Sequence, residues 1–84
     1  MKSPSILLDQ LPRNVRGTVA AIDWSGLTVA EARRLRELGL DEGVEVELMH
    51  RSMIGKGPIA CRIGRMTVAL RRHVGHAVHV VPAG

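Results

Sequence analysis

The pattern of apolar and polar positions divides the chain into short elements of two different periods. From Arg16 the text Arg-Gly-Thr-Val-Ala-Ala-Ile-Asp mixes β-branched and small residues and ends in the turn formers Asp23-Trp24-Ser25-Gly26, which predicts a first strand. Thr28 then stands three residues before Glu31, the spacing at which each side chain satisfies an exposed backbone N–H at a helix start. Val29, Ala32, Leu35 and Leu38 recur on one helical face while Glu31, Arg33, Arg34, Arg36 and Glu37 take the others, predicting about three turns of amphipathic helix. Gly39 followed by Leu40 reads as a left-handed cap whose leucine folds back on the last turn.

Beyond the Asp41-Glu42-Gly43 turn the period changes to two. Val44, Val46 and Leu48 alternate with Glu45, Glu47 and Met49, as in a strand with one buried face. Ser52 to Pro58, with Gly55 and Gly57 around Lys56, predicts a loop, and Ile59, Cys61 and Ile63 then alternate with Ala60 and Arg62. Gly64-Arg65 is a two-residue connection into Met66, Val68 and Leu70, the signature of a hairpin. Arg71 to Gly75 predicts a single turn, and Val78 and Val80 a last strand before Pro82-Ala83-Gly84. At the other end, residues 1–14 form an arm whose Leu7, Leu8 and Leu11 precede Pro12, either as a short helix or as an extended segment. The fold class is mainly β with a small α component. About five short strands with one amphipathic helix inserted after the first fit a small antiparallel barrel, because closure protects edges that so short a sheet leaves open.

The 84 residues make one domain, 1–84. A chain of this length leaves little room for both a core and a deep catalytic cleft. Trp24 is the one aromatic residue, so the core is aliphatic, and neither a base-stacking platform nor a polyproline groove has the rings it needs. Cys61 is the single cysteine and forms no internal disulfide; Ile6-Leu7-Leu8 is too short for a signal-peptide core. No run approaches the roughly 18 apolar residues that span a bilayer. The expected location is the cytoplasm.

Candidate chemistry is sparse. Cys61 falls on the inward period of its strand and reads as a small hydrophobe, Ser25 and Ser52 lack a nucleophile elbow, and no enzyme is expected. Gly55-Lys56-Gly57 is not followed by Ser or Thr and a helix, so no phosphate loop is present. His73 and His76 share a side if the stretch after Leu70 is a helical turn, with His50 near them once the strands pair. Two imidazoles make half a tetrahedral zinc site, so the expectation is no required cofactor and at most incidental capture of zinc or iron. Twelve Lys plus Arg against eight Asp plus Glu give a net charge of +4, with Arg33, Arg34 and Arg36 on the helix, which suggests an anionic partner. The acids interleaved in the same half, and the absence of a nucleic-acid-binding motif, argue against a specific nucleic acid. Met53 and Ile54, apolar in a glycine-flanked loop beside Lys56, mark either a protein contact or a lid over one end of the barrel.

Arg34-Leu35-Arg36-Glu37-Leu38-Gly39-Leu40 followed by Gly43 resembles the FeoA family, small cytoplasmic accessory proteins of bacterial ferrous-iron transport. So do Leu8-x-x-Leu11-Pro12, Gly17-x-Val19, Gly55-x-Gly57-Pro58-Ile59 and Gly64-x-x-x-Val68-Ala69-Leu70-Arg71, in order and with the family's gaps. Val74-Gly75 departs from the Glu-Ala that the family commonly carries before its final strand. The resemblance implies an SH3-like barrel with a helical insertion and no catalysis of its own. It further implies an adaptor that binds the ferrous-iron permease with its cytoplasmic G domain (FeoB-type) and promotes or regulates uptake, reaching the membrane only through that partner. The contact residues expected on exposure are Arg33, Arg34, Arg36, Met53, Ile54 and Lys56. Oligomeric state stays open, homo-oligomers included. The alternatives are a small basic barrel that binds polyanions or nucleic acid, and a metal-responsive regulatory domain of the kind that ends iron-dependent repressors.

Overall fold

The computed structural model describes residues 4–51 and 57–83. In chain order the elements are β1 (Ile6–Leu7), a 3-10 turn (Leu8–Gln10), β2 (Arg16–Ile22), a second 3-10 turn (Trp24–Gly26), α1 (Val29–Glu37), β3 (Glu45–Arg51), β4 (Ile59–Ile63), β5 (Met66–Leu70), α2 (Arg72–Gly75) and β6 (Val78–Pro82). The strands form one antiparallel sheet in the order β1-β6-β2-β3-β4-β5. The predicted five strands and inserted helix are present, and the arm adds a sixth strand. It is both of the forms expected of it, since Ile6 and Leu7 pair with Val80 and His79 before the chain turns through the 3-10 segment.

The sheet curls so that its inner face encloses one aliphatic core. Val19 and Ile22 from β2, Val46 and Leu48 from β3, Ile59, Cys61 and Ile63 from β4, and Val78 and Val80 from β6 all enter it. Leu8 and Leu11 from the arm are fully buried in the same cluster. Strict alternation does not produce this set. Ala20 is an extra residue in β2, between the pairs Val19 with Val80 and Ala21 with His79. That bulge turns Ile22 inward, where an unbroken period of two would have shown Ala21 to the core.

A second bulge has more consequence for function. Leu48 pairs with Cys61 and His50 with Ala60, so Met49 is the unpaired residue of β3. After it the faces exchange: His50 lies on the outer face, and Arg51, opposite the buried Ile59, is aimed to the inner side. There its Nη1 donates to the backbone carbonyl of Asp9 at 3.0 Å, tying β3 to the N-terminal turn.

Helix α1 starts and stops where the residues dictate. Glu31 N–H donates to Thr28 Oγ1 at 3.1 Å, and Thr28 N–H donates to Glu31 Oε1 at 3.0 Å. At the other end Leu40 N–H reaches the Leu35 carbonyl (2.9 Å) and Gly39 N–H the Arg36 carbonyl (3.0 Å), with Gly39 at φ +80°. This is the double bond of a Schellman cap, a geometry that favours glycine. The buried stripe is narrower than the sequence suggests. Val29 is 78% exposed, because Leu35 is the one residue of α1 fully buried in the core, with Leu38 packed against it and Ala32 half-buried.

The β4–β5 hairpin turns at Gly64-Arg65, with φ +61° at Gly64 alone, as a type II′ turn requires of its first central residue. Gly17 serves a different purpose. A Cβ there would stand 2.2 Å from Val80 Cγ1 and 3.2 Å from the Val81 carbonyl oxygen, so β2 and β6 pack as they do only because residue 17 has no side chain. Gly17→Ala should destabilise the fold by about 1–3 kcal/mol through overpacking, read as a lower urea midpoint with an unchanged slope.

Candidate functional site

The single turn α2 follows directly from β5, closed by hydrogen bonds from Gly75 N–H to the Arg71 carbonyl (3.2 Å) and from His76 N–H to the Arg72 carbonyl (2.9 Å). It sits tightly because Gly75 faces Ile59 and Asp9; a Cβ there would lie 2.6 Å from Ile59 Cδ1 and 3.6 Å from Asp9 Cβ. This seat places His73 and His76 three residues apart on the rim of an open groove of about 910 Å³, which Asp9, Asp23, Arg71 and Arg72 also line.

Each histidine meets its own carboxylate. His73 Nε2 lies 2.5 Å from Glu31 Oε2, and His76 Nδ1 lies 3.3 Å from Asp9 Oδ2. The first pair fastens α2 to α1 and the second fastens it to the N-terminal turn. Asp9 is only 7% exposed, and its Oδ1 has no hydrogen-bond partner among the described residues. The carboxylate of Glu31 is held below its ordinary value of 4.5, first by the Thr28 backbone N–H and also by His73, with burial opposing. Burial alone pushes the Cys61 thiol up to about 11, so near neutral pH it carries no thiolate and packs as a hydrophobe.

The residues singled out in the sequence fall in separate places. His73 and His76 do share a rim. His50 does not join them by pairing, because the bulge at Met49 sends it to the outer face of β3. Among the described residues no three His, Cys, Asp or Glu come together as one metal ion would need. Arg33, Arg34 and Arg36 are exposed on α1. Arg36 is partly committed, its guanidinium 4.6 Å from the centroid of the Trp24 ring. Arg34 instead lines a second groove, of about 430 Å³, between α1 and the end of β5, together with Leu35, Ala69, Leu70, Arg71 and Val74. Met53, Ile54 and Lys56 lie outside the described residues.

Three residues of consequence escaped the sequence reading. Nothing in the sequence singles out Asp9, Glu31 reads as a capping residue only, and Arg71 as the arginine that follows the closing hairpin. Their partners are 67 residues away for Asp9 and 42 for Glu31, and no local spacing carries that information.

Glu31 joins cap and latch, and its effect on stability has a definite sign. Its carboxylate is depressed in the folded chain, so its contribution is complete above pH 4.5 and is lost as pH falls through the lower folded value. Glu31→Gln should flatten the fall in thermal midpoint between about pH 5 and 3, whereas Thr28→Ala should cost about 1 kcal/mol and leave a pH slope; midpoints across that range check both.

The FeoA domain family matches residues 6–82, from the first residue of β1 to the last of β6. The FeoA of Stenotrophomonas maltophilia, solved in complex with zinc and described as a procaryotic SH3 domain protein, is 32% identical, with 89% of this chain and 88% of that one covered at a TM-score of 0.75. The FeoA protein of Chlorobium tepidum is 24% identical over 94% of this chain and 71% of that one, at a TM-score of 0.80. A manganese-dependent transcriptional repressor shares the fold at a TM-score of 0.84 and 23% identity, 99% of this chain corresponding to 44% of the repressor. Comparison with curated proteins finds no match. A sheet with an inserted capped helix, matched by the family from end to end and by a solved member at nearly full length, shows that the chain belongs to the FeoA domain family.

Proposed function

We propose that this chain is an accessory protein of ferrous-iron uptake that binds the cytoplasmic part of the ferrous-iron permease and promotes or regulates transport through contact, without chemistry or a cofactor of its own. The observation that carries this reading is the family match over residues 6–82. The S. maltophilia neighbour, described as a proposed activating factor of ferrous iron transport, supports it further. In this reading the protein works on the cytoplasmic side, and no helix among the described residues is long and apolar enough to cross a membrane. The exposed Arg33 and Arg34 on α1 steer a negatively charged partner, and Met53, Ile54 and Lys56 in the β3–β4 connection supply apolar anchoring and a further charge.

A second reading has a specific observation behind it, the likeness to the metal-dependent repressor. Among the described residues, however, α1 has nine residues and α2 four, so there is no pair of helices to cross the backbone and enter the major groove. A metal-responsive domain without that element would still need metal donors, and no three come together among the described residues.

The purified chain should bind the detergent-solubilised permease from the same genome saturably at physiological salt in at least one nucleotide state. Arg34→Glu combined with Met53→Ser should weaken that binding at least tenfold with the thermal midpoint held. Absence of binding in every nucleotide state, with retention on heparin that falls steeply with salt, would replace the adaptor by a polyanion binder.

A further inference from the structure

Among the described residues the sheet ends in β5, a five-residue strand with a free side. Among the described residues β5 pairs with β4 alone, and it ends the strand order opposite β1. The hairpin register decides which groups are free. Ile63 and Met66 flank a two-residue loop and exchange backbone bonds, so Cys61 with Val68 and Ile59 with Leu70 do the same, two residues further on each time. Thr67 and Ala69 are the intervening residues. Their N–H and C=O groups point away from β4, both residues are exposed, and none of those groups finds another backbone partner among the described residues. Small domains usually blunt such an edge with a bulge, a proline or a cover. Here the strand Met66–Leu70 has no register shift against β4 and contains no proline.

The second groove lies beside this edge. Its floor is apolar, with Leu35 from α1, Leu70 from β5 and Val74 from α2, and Arg34 and Arg71 stand on its walls. Glu31 also lines it, but that carboxylate already serves the Thr28 N–H and His73. Arg65 and Arg71 stand just before and just after β5 and are exposed, so the free edge is flanked by positive charge. Side chains of a strand laid against β5 at the level of Val68 and Leu70 would point to the inner side, over the apolar floor. Its carboxylates would reach Arg34 and Arg71.

We propose that the β5 edge and the groove between it and α1 form a docking site for an extended segment of a partner protein, apolar at alternate positions and acidic at its ends, which adds to the sheet as a further strand. This rests on the adaptor reading, in which the segment belongs to the cytoplasmic part of the permease. Charge selects this occupant over a second copy of the chain. In the antiparallel register that uses Thr67 and Ala69 of both copies, Arg65 of each would face Arg71 of the other, and like charges directly opposite are destabilising. Backbone bonds supply affinity in such strand addition, and the pockets beside the edge supply selectivity.

The test is amide hydrogen exchange of the full chain with and without the solubilised permease, alongside affinities of edge variants. The Thr67 and Ala69 amides should slow at least tenfold on binding, while those of Val68 and Leu70, already bonded to β4, should change little. Thr67→Pro removes an N–H that no described residue uses and should lower affinity at least tenfold with little change in thermal midpoint. Should that variant fail to fold, the pair Arg34→Glu and Arg71→Glu, which leaves the strand intact, gives the same readout. Permease binding with parental affinity in these variants and unprotected Thr67 and Ala69 amides would overturn the edge while leaving the adaptor reading in place. Failure of the unmodified chain to bind would overturn both, and protection that grows with the concentration of the chain alone would assign the edge to self-pairing and overturn the partner segment.

Discussion

Burying Leu8 and Leu11 sets the terms for much of the rest of the molecule. Both side chains are without exposed surface, and each contributes about 1.5–3 kcal/mol by leaving water. The three-residue turn that delivers them carries Asp9 inward as well. A buried carboxylate is costly unless paired. His76 pairs with one carboxylate oxygen, and the Arg51 guanidinium separately satisfies the backbone carbonyl of the same residue. Arg51 is on the inner side only because Met49 bulges, and His76 is within reach only because Gly75 lets α2 settle onto Ile59. The bulge at Met49 and the bare backbone at Gly75 thus both bring a side chain to the turn that carries Asp9.

The same arrangement separates what is fixed from what is available for binding. Asp9, Glu31, His73 and His76 are engaged with one another and hold α2, the N-terminal turn and α1 together. Their partnering makes the groove at α2 a joint of the structure, and a metal would have to compete with these pairs. Arg36 rests on Trp24 in a similar way. Among the described residues, the guanidinium groups of Arg34 and Arg71 and the outward backbone of Thr67 and Ala69 carry capacity that no such pair uses. Arg34, Ala69 and Arg71 line one groove, and Thr67 lies two residues further along the same strand edge.

On the proposed reading, a protein of this size needs a surface that is rigid before its partner arrives, since little stability is left to order a loop on binding. A strand end beside a capped helix meets that requirement. The Thr28–Glu31 box and the Gly39 cap fix both ends of α1, and the β4–β5 hairpin fixes the strand, so the walls of the groove are set by local geometry that no partner has to induce.

Sequence by itself determined the elements whose cause is local. The capping box, the glycine cap, the Gly64-Arg65 hairpin and the alternation of Val46 with Leu48 and of Ile59 with Cys61 each depend on residues within a few positions of one another, and each stands where its pattern put it. The family was legible for the same reason, its marks being glycines and leucines at fixed short gaps. Tertiary structure alone decided the rest. The bulges at Ala20 and Met49 answer to partner strands, and only they settle that Ile22 turns in and His50 turns out. The exposure of Val29 depends on how α1 approaches the sheet, and the pairings of Asp9 with His76 and of Glu31 with His73 on how it curls. Which strand keeps a free edge is likewise a property of strand order, which periodicity along a chain does not encode.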